Sequence, residues 1–422
     1  MRVLAYTSPA RGDLYPVVPI LADVIARGGE ACLYTLAEEL ENVRTAGIAS
    51  YAIDPAIERD QLRDWRSSSQ LARTISVLRT FLRRAAYEVP DVTQAIARHD
   101  PDALLVDINC WGAAIAAEAS GLPWSIYSPY LAPVPSRQAP PYGIGLAPMG
   151  GPLGAARDAV LRGLALGLFE KPVMAPINRL RAQYGLSKLS RYSALLARPE
   201  LLLMLTAEGF EYPRDDWPTN ARLVGPIDWA PPEPEPAWLD EVQDPVVLVT
   251  CSTEHQSDRA LIDTALKALP AAGFSVIATS AAHDPGTFDP PSGSRVVHFV
   301  AHEPILRRAA CVVCHGGMGI TQKALAAGVP VVVVPFGRDQ YETARRVEVA
   351  AAGVRLTPRR LTPERLAHAV RGAIDHRKGA QQISCAFADA GGASAAVDAL
   401  EQIAGRRPVE KGTPVRACGA SE

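Results

Sequence analysis

The 422-residue chain contains no run of about 18 uncharged apolar residues, so no part of it reads as an integral membrane segment. Its longest apolar stretch, residues 328–336, has only the length of a strand. The opening MRVLAYTSPARGD has one short apolar run broken by Pro9, without the apolar core or cleavage site of a signal peptide. Neither sign of charge predominates. The 43 Lys and Arg face 45 Asp and Glu, which gives no electrostatic reason to expect nucleic acid or an anionic membrane as partner. Aromatics are 6% of the chain, too few to suggest a base-stacking platform. The seven cysteines are odd in number and widely spread, which fits reduced thiols and a cytoplasmic location.

What is present is an ordinary globular composition, 48% hydrophobic and 21% charged, long enough for two or three domains at about 150 residues each. A β-branched run (residues 2–7) meets a Gly-containing loop. Val17, Ile20, Leu21, Val24 and Ile25 then recur at helical spacing. Further strand-like runs at 31–35, 101–106 and 124–127 alternate with a helical one at 113–119, the mark of βαβ units and a parallel sheet. Residues 133–156 form a Pro/Gly-rich loop, followed by a helical region over roughly 155–185. Between 225 and 245 lie six prolines with no period, a stiff linker. The alternation restarts behind it, with strands at 246–250, 275–279, 295–300, 311–314 and 329–335 and helices at 259–269 and 319–327. The expectation is a first domain over 1–225, a linker over 226–245, a second domain over 246–405 whose last helices pack back on the first, and a pattern-free tail over 406–422. Two doubly wound domains facing each other place their ligands in the cleft between them, in loops after strands.

One segment carries the strongest chemical signal. Cys311-Val-Val-Cys314-His315-Gly-Gly-Met-Gly319 puts a histidine and three glycines between a buried strand and an apolar helix. Glycines let the backbone approach an anion, and a helix N-terminus aims free N–H groups and partial positive charge at it. Read literally, Cys311 to His315 spells the c-type haem attachment motif, but it lies in a β-branched run where the thiols serve as small buried hydrophobes. A dinucleotide fingerprint fails because the third glycine position holds Gln322. A purely structural turn is the remaining alternative.

The stretch HGGMGITQKALAAGVPVVVVPFGRDQYETA resembles the donor-site signature of family 1 glycosyltransferases with the GT-B fold. GPI before the linker, VTCSTE after it and PPYGIGLAPMGGPLG also resemble bacterial members that glycosylate natural products, so the likeness spans most of the chain. It implies a fold of two Rossmann-like domains and a nucleotide-sugar diphosphate held by His315, Gly316, Gly317 and Gly319. By the same likeness Asp339 and Gln340 hold sugar hydroxyls, Ser252 and Thr253 contact phosphate or sugar, and Phe299 and Val300 pin the nucleobase. A helix cap is the plain alternative for Asp339, a strand-end turn for Ser252 and Thr253, and core packing for Phe299. Two departures stand out. Ile320 occupies a position where many relatives have a hydroxyl, a role that would pass to Thr321. Lys323 stands where many have a ribose-gripping Glu, and an ammonium cannot accept hydrogen bonds.

Relatives usually offer Gly-His-x-x-Pro after the first strand; this chain has Gly12-Asp13-Leu14-Tyr15-Pro16. Of eight histidines only His99 precedes the linker, before a strand and away from the expected cleft, so a base from the first domain must be a carboxylate. Asp13 is that candidate, with a helix cap as the plain alternative. Asp107, straight after its strand, is the second catalytic candidate, since two close carboxylates raise one pKa, with a buried turn carboxylate as the plain alternative. By analogy the Pro/Gly loop with Tyr142 and the segment 65–87 with Leu78 and Phe81 wall the acceptor, while Arg73, Arg79, Arg83 and Arg84 read as a solvated face. The implied reaction is inverting transfer of a sugar from UDP or dTDP to a hydroxyl of a small apolar acceptor. It needs no metal and no cofactor beyond the co-substrate. A nucleotide-sugar epimerase and a non-catalytic sugar-nucleotide-binding auxiliary are the alternatives, and a homodimer is left open.

Overall fold

A computed structural model describes residues 1–405 except 68, 255 and 257; the expected tail over 406–422 lies outside the described residues. Among the described residues thirteen strands form two sheets, every pairing in them parallel. The first contains β1 (Arg2–Tyr6), β2 (Glu30–Thr35), β3 (Ala49–Ala52), β4 (Ala103–Asp107), β5 (Trp124–Ser128), β6 (Leu201–Met204) and β7 (Ala221–Leu223), in the order β3-β2-β1-β4-β5-β6-β7. The second contains β8 (Val246–Thr250), β9 (Ser275–Thr279), β10 (Arg295–Val297), β11 (Ala309–Cys314), β12 (Val331–Val333) and β13 (Gly353–Arg355), in the order β10-β9-β8-β11-β12-β13. Central strands such as β4 and β8 are buried along their whole length, which is why they read as unbroken apolar runs.

In each sheet the strand order reverses once, between β1 and β4 and between β8 and β11. A crevice opens beyond the carboxyl ends of strands at such a reversal, because the connections leave on opposite faces there. The segments that follow these strands carry Asp13, in the short helix Arg11–Leu14, and Asn109, Ser252 and His315 in loops. Topology alone thus brings the candidate base and the glycine-rich segment to facing crevices.

The two halves of the chain exchange pieces. Leu131, Ala207 and Phe210 are buried in the apolar cluster of the second sheet. In return Val397, Leu400 and Ile403 of the last helix, Gly392–Ala404, pack with Leu14, Ile20 and Leu21 on the first. The segment walling the cleft is a 30-residue helix, Gln70–His99, longer than the 65–87 segment suggested. Two of its arginines are not solvated as expected. Arg84 is 4% exposed and donates to the carbonyl of Asp60, and Arg73 donates at 2.6 Å to the carbonyl of Phe336 in the second domain. Among the described residues no helix is long and apolar enough to cross a membrane.

Candidate active site

A cleft of about 1220 Å³ runs between the domains. From the first domain it is lined by Asp13, Asn109, Tyr130, Tyr142, Leu78 and Phe81. Ser252, Thr253, Phe299, Val300, His315, Gly317, Gly319, Asp339 and Gln340 line it from the second. Most of the residues singled out in the sequence therefore meet in one space. Asp107, Gly316 and Thr321 do not line it.

The carboxylate of Asp13 is held by two side chains. Its Oδ2 accepts from Ser8 Oγ at 2.5 Å and from Asn109 Nδ2 at 3.2 Å, and neither bond uses Oδ1. Its side chain does not cap the turn that begins at Arg11. Behind it Asp107 is fully buried, its oxygens accepting the backbone N–H groups of Ser8 and Asn109 at 2.9 Å each. Asp107 thus lies behind the cleft wall, out of a ligand's reach, contrary to the expectation that it takes part in the reaction directly. It fixes the two residues that in turn fix Asp13. Burial and the charge of Asp107 push the Asp13 carboxyl well above its ordinary range, against the opposing hydrogen bond from Ser8. Glu254, from the loop after β8, also raises it, so the second domain's charge reaches Asp13 across the cleft. Neither Ser8 nor Asn109 was legible as a site residue. Both follow strands at the reversal of the sheet, which is the one signal that marks them.

On the other side, the helix Met318–Ala326 starts at Gly317 with its N-terminus at the cleft. Gly316 has φ +94° and lies against Val333, so only glycine fits there. A Cβ at Gly317 would collide with the ring nitrogen Nε2 of His315. The glycines thereby allow the imidazole to lie against the helix start. Burial lowers the His315 pKa, opposed by Asp258, so the ring is neutral at pH 7 and able to donate one hydrogen bond. Thr321 corrects an expectation. It is fully buried and its hydroxyl donates to the carbonyl of Gly317 at 2.9 Å, so it cannot stand in at the phosphate for the hydroxyl that Ile320 does not have. Lys323 pairs with Asp228 of the linker at 2.7 Å, and both line the cleft.

The loop before the helix Gln340–Val349 is braced internally. Gln340 is 1% exposed; its Oε1 accepts from the amides of Phe336 and Gly337, and its Nε2 donates to Gln256. That leaves one amide hydrogen for a ligand, so Gln340 mainly shapes the loop. Gln256 in turn donates to Ser252 Oγ at 3.0 Å, which also accepts from the Glu254 amide at 3.2 Å. With both acceptor positions filled, the Ser252 hydroxyl has its own hydrogen to offer. Asp339 stands at the start of the helix but makes no cap with its side chain. Burial raises its pKa to about 6, so it is largely ionised at pH 7 and free to accept. Phe299 is 44% exposed into the cleft, whereas Val300 is mostly core.

Contacts across the cleft include ion pairs and hydrogen bonds to backbone groups. Arg338 pairs with Asp64 of the first domain at 2.8 Å and with Glu254 of the second. Glu342 accepts the amides of Gly143 and Gly145 at 2.8 Å each and pairs with Arg346, itself paired with Glu211. The Pro/Gly loop carrying Tyr142 is thereby fastened to the donor-side helix. Cys251, Asp258 and His283 also cluster within 4.8 Å, but the Asp258 oxygens already accept from the Ser252 amide and His283. This group braces the loop that presents Ser252.

Two facing Rossmann-like domains, with a glycine-rich helix start on one side of the cleft and a buried-carboxylate system on the other, match the GT-B architecture. Comparison with known proteins agrees. The model of the erythromycin biosynthesis protein CIII-like C-terminal domain matches residues 264–396. The 4'-demethylrebeccamycin synthase of Lentzea aerocolonigenes is 30% identical over 420 residues, covering 96% of this chain and 99% of that protein. A PGL/p-HBAD biosynthesis glycosyltransferase of Mycobacterium tuberculosis is 28% identical over 301 residues, 68% of this chain and 67% of the relative. Among solved structures, the calicheamicin glycosyltransferase CalG4 superposes with a TM-score of 0.73 at 18% identity, covering 96% and 98% of the two chains. The spinosyn rhamnosyltransferase SpnG complexed with thymidine diphosphate gives 0.70 at 20%, covering 95% and 100%. The chain belongs to the family 1 natural-product glycosyltransferases of GT-B fold, and it is a glycosyltransferase. These relatives favour transfer over the epimerase and auxiliary readings.

Proposed function

We propose that the protein transfers a sugar from UDP or dTDP to a hydroxyl of a small, largely apolar acceptor, inverting the anomeric carbon, with Asp13 receiving the acceptor's proton. The observation that carries this reading is that Asp13 and the start of the helix Met318–Ala326 line one cleft from opposite domains. The acceptor oxygen forms its bond to the anomeric carbon on the Asp13 side as the bond to the diphosphate breaks on the other. The electron pair leaves with the diphosphate, whose charge is met by the amides at 317–319, the helix N-terminus and His315. That neutralisation requires no metal. The raised pKa of Asp13 suits a base better than an ordinary carboxylate would. Asp339 and Ser252 supply an acceptor and a donor for sugar hydroxyls, and Phe299 an aromatic face for the base.

A thymidine diphosphate complex of a structural neighbour supports a nucleotide donor, and the apolar wall of Leu78, Phe81 and Val173 supports the acceptor class. The free thiols of the six described cysteines agree with a reducing cytoplasm. The test is Asp13→Asn, which keeps the shape and removes the base. We expect transfer to fall at least a hundredfold while dTDP and UDP affinities, read by calorimetry, stay within twofold. Retention of a tenth of the native turnover would remove Asp13 from the mechanism.

A further inference from the structure

One charged side chain in the cleft has no part in the reaction as proposed. Arg162, in the helix Gly151–Ala165, lines the same cavity as Tyr142, Leu161, Val173 and Tyr192. Its Nε is sealed from solvent and meets no acceptor. Its Nη2 reaches the carbonyl of Ala139 only at 3.5 Å, the limit of a hydrogen bond. Among the described residues no carboxylate pairs with it. Of the other four arginines of the cavity three are neutralised, Arg11 by Glu38 and Glu39, Arg307 by Glu235 and Glu303, and Arg338 by Asp64 and Glu254, and the fourth, Arg191, is exposed to solvent.

Charged donors at a cavity wall keep a partner or water, so a half-buried guanidinium there with no carboxylate to neutralise it leaves room for an oxyanion of a ligand. A guanidinium offers a planar fork that matches a carboxylate in two parallel bonds. Arg162 lines the cavity from the first-domain helix that follows the Pro/Gly loop, and its Nη2 approaches Ala139 of that loop, whereas the helix start at Gly317 belongs to the second domain. We propose that Arg162 recognises an oxyanion on the acceptor. The preferred acceptors are then apolar scaffolds carrying, besides the hydroxyl to be glycosylated, a carboxylate or an oxygen of comparable acidity. This rests on the transfer reading for the word acceptor, and the experiment separates the two.

The probes are 6-hydroxy-2-naphthoate and its methyl ester, followed by their own fluorescence on the full chain, with dTDP and UDP binding measured in parallel. The native protein is expected to bind the acid about tenfold more tightly than the ester. Arg162→Met, which keeps an apolar stem, abolishes that preference, Arg162→Lys retains part of it, and nucleotide affinity is unchanged in both. Equal affinity of the native protein for acid and ester overturns the proposal, as does failure of the acid to bind. A preference that survives Arg162→Met also overturns it, and so does weaker nucleotide binding in that variant, which would move Arg162 to the donor side. Failure of the native protein to bind either nucleotide would count against the transfer reading alone.

Discussion

Asn109 gives the sharpest test of how Asp13 is held. Its Nδ2 donates to Asp13 Oδ2 at 3.2 Å, while its Oδ1 accepts from Tyr130 at 2.7 Å and its own amide is pinned by Asp107. A hydrogen bond to a charged group contributes about 1.5–3 kcal/mol, and one of this length belongs at the low end. Removing about 1.5 kcal/mol from the ionised form, at about 1.36 kcal/mol per unit, raises the Asp13 pKa by about one unit. Asn109→Leu deletes the donor without adding a charge. The ionised base is gained as pH rises, so the acid limb of kcat/KM moves up by about one unit. Below the limb the rate falls about tenfold, and above it the rate stays within about twofold. The assay is nucleoside diphosphate release at saturating donor, with an alcohol as acceptor so that its hydroxyl does not titrate. Tyr130→Phe removes the outer bond only and should move the limb less. A loss of rate equal at all pH values would show that Asn109 merely shapes the loop, and an unmoved limb would refute the assignment of Asp13 as the titrating base.

Thr321→Val should leave dTDP and UDP affinity within twofold by calorimetry, whereas His315→Ala should weaken both at least tenfold; the reverse pattern would return Thr321 to the phosphate site. Glu342→Gln sets an amide N–H against Arg346 and should cost about 1–3 kcal/mol in denaturant unfolding, with a higher acceptor KM at near-native kcat. Glu88 is 1% exposed and burial raises its pKa from 4.5 to about 8, so its contribution to stability is complete below pH 4.5 and is lost as pH rises towards 8. The melting-temperature advantage of Glu88→Gln over the native protein should therefore grow between pH 5 and pH 8.5, and a constant difference would refute the shift.

The readable parts of the molecule were those fixed by short range. β8 and β9 lie where the apolar runs at 246–250 and 275–279 put them, because strands covered on both faces need no alternation. The glycine-rich cradle was readable for the same reason: its geometry is set by adjacent residues. β6 was not read, since its four residues LLLM are indistinguishable from a buried helical turn until a neighbouring strand claims them. Thr321 was misplaced because the phase of its helix is decided by packing on the sheet, which turns residue 321 inward and leaves 319, 320 and 323 at the cleft. Arg73 and Arg84 look solvated in any window, and their partners lie far away in the chain, at 336 and 60. Asn109 and Arg162 belong to the same group, since the meaning of each depends on what faces it.

The last helix has a consequence for how the protein is born. Since Val397, Leu400 and Ile403 complete the cluster around Leu14, Ile20 and Leu21, the first domain keeps an open apolar face during synthesis until residue 403 has left the ribosome. A message truncated near codon 390 would release a chain with both active-site loops and no lasting seal beneath one of them, a product for proteases and not a smaller enzyme.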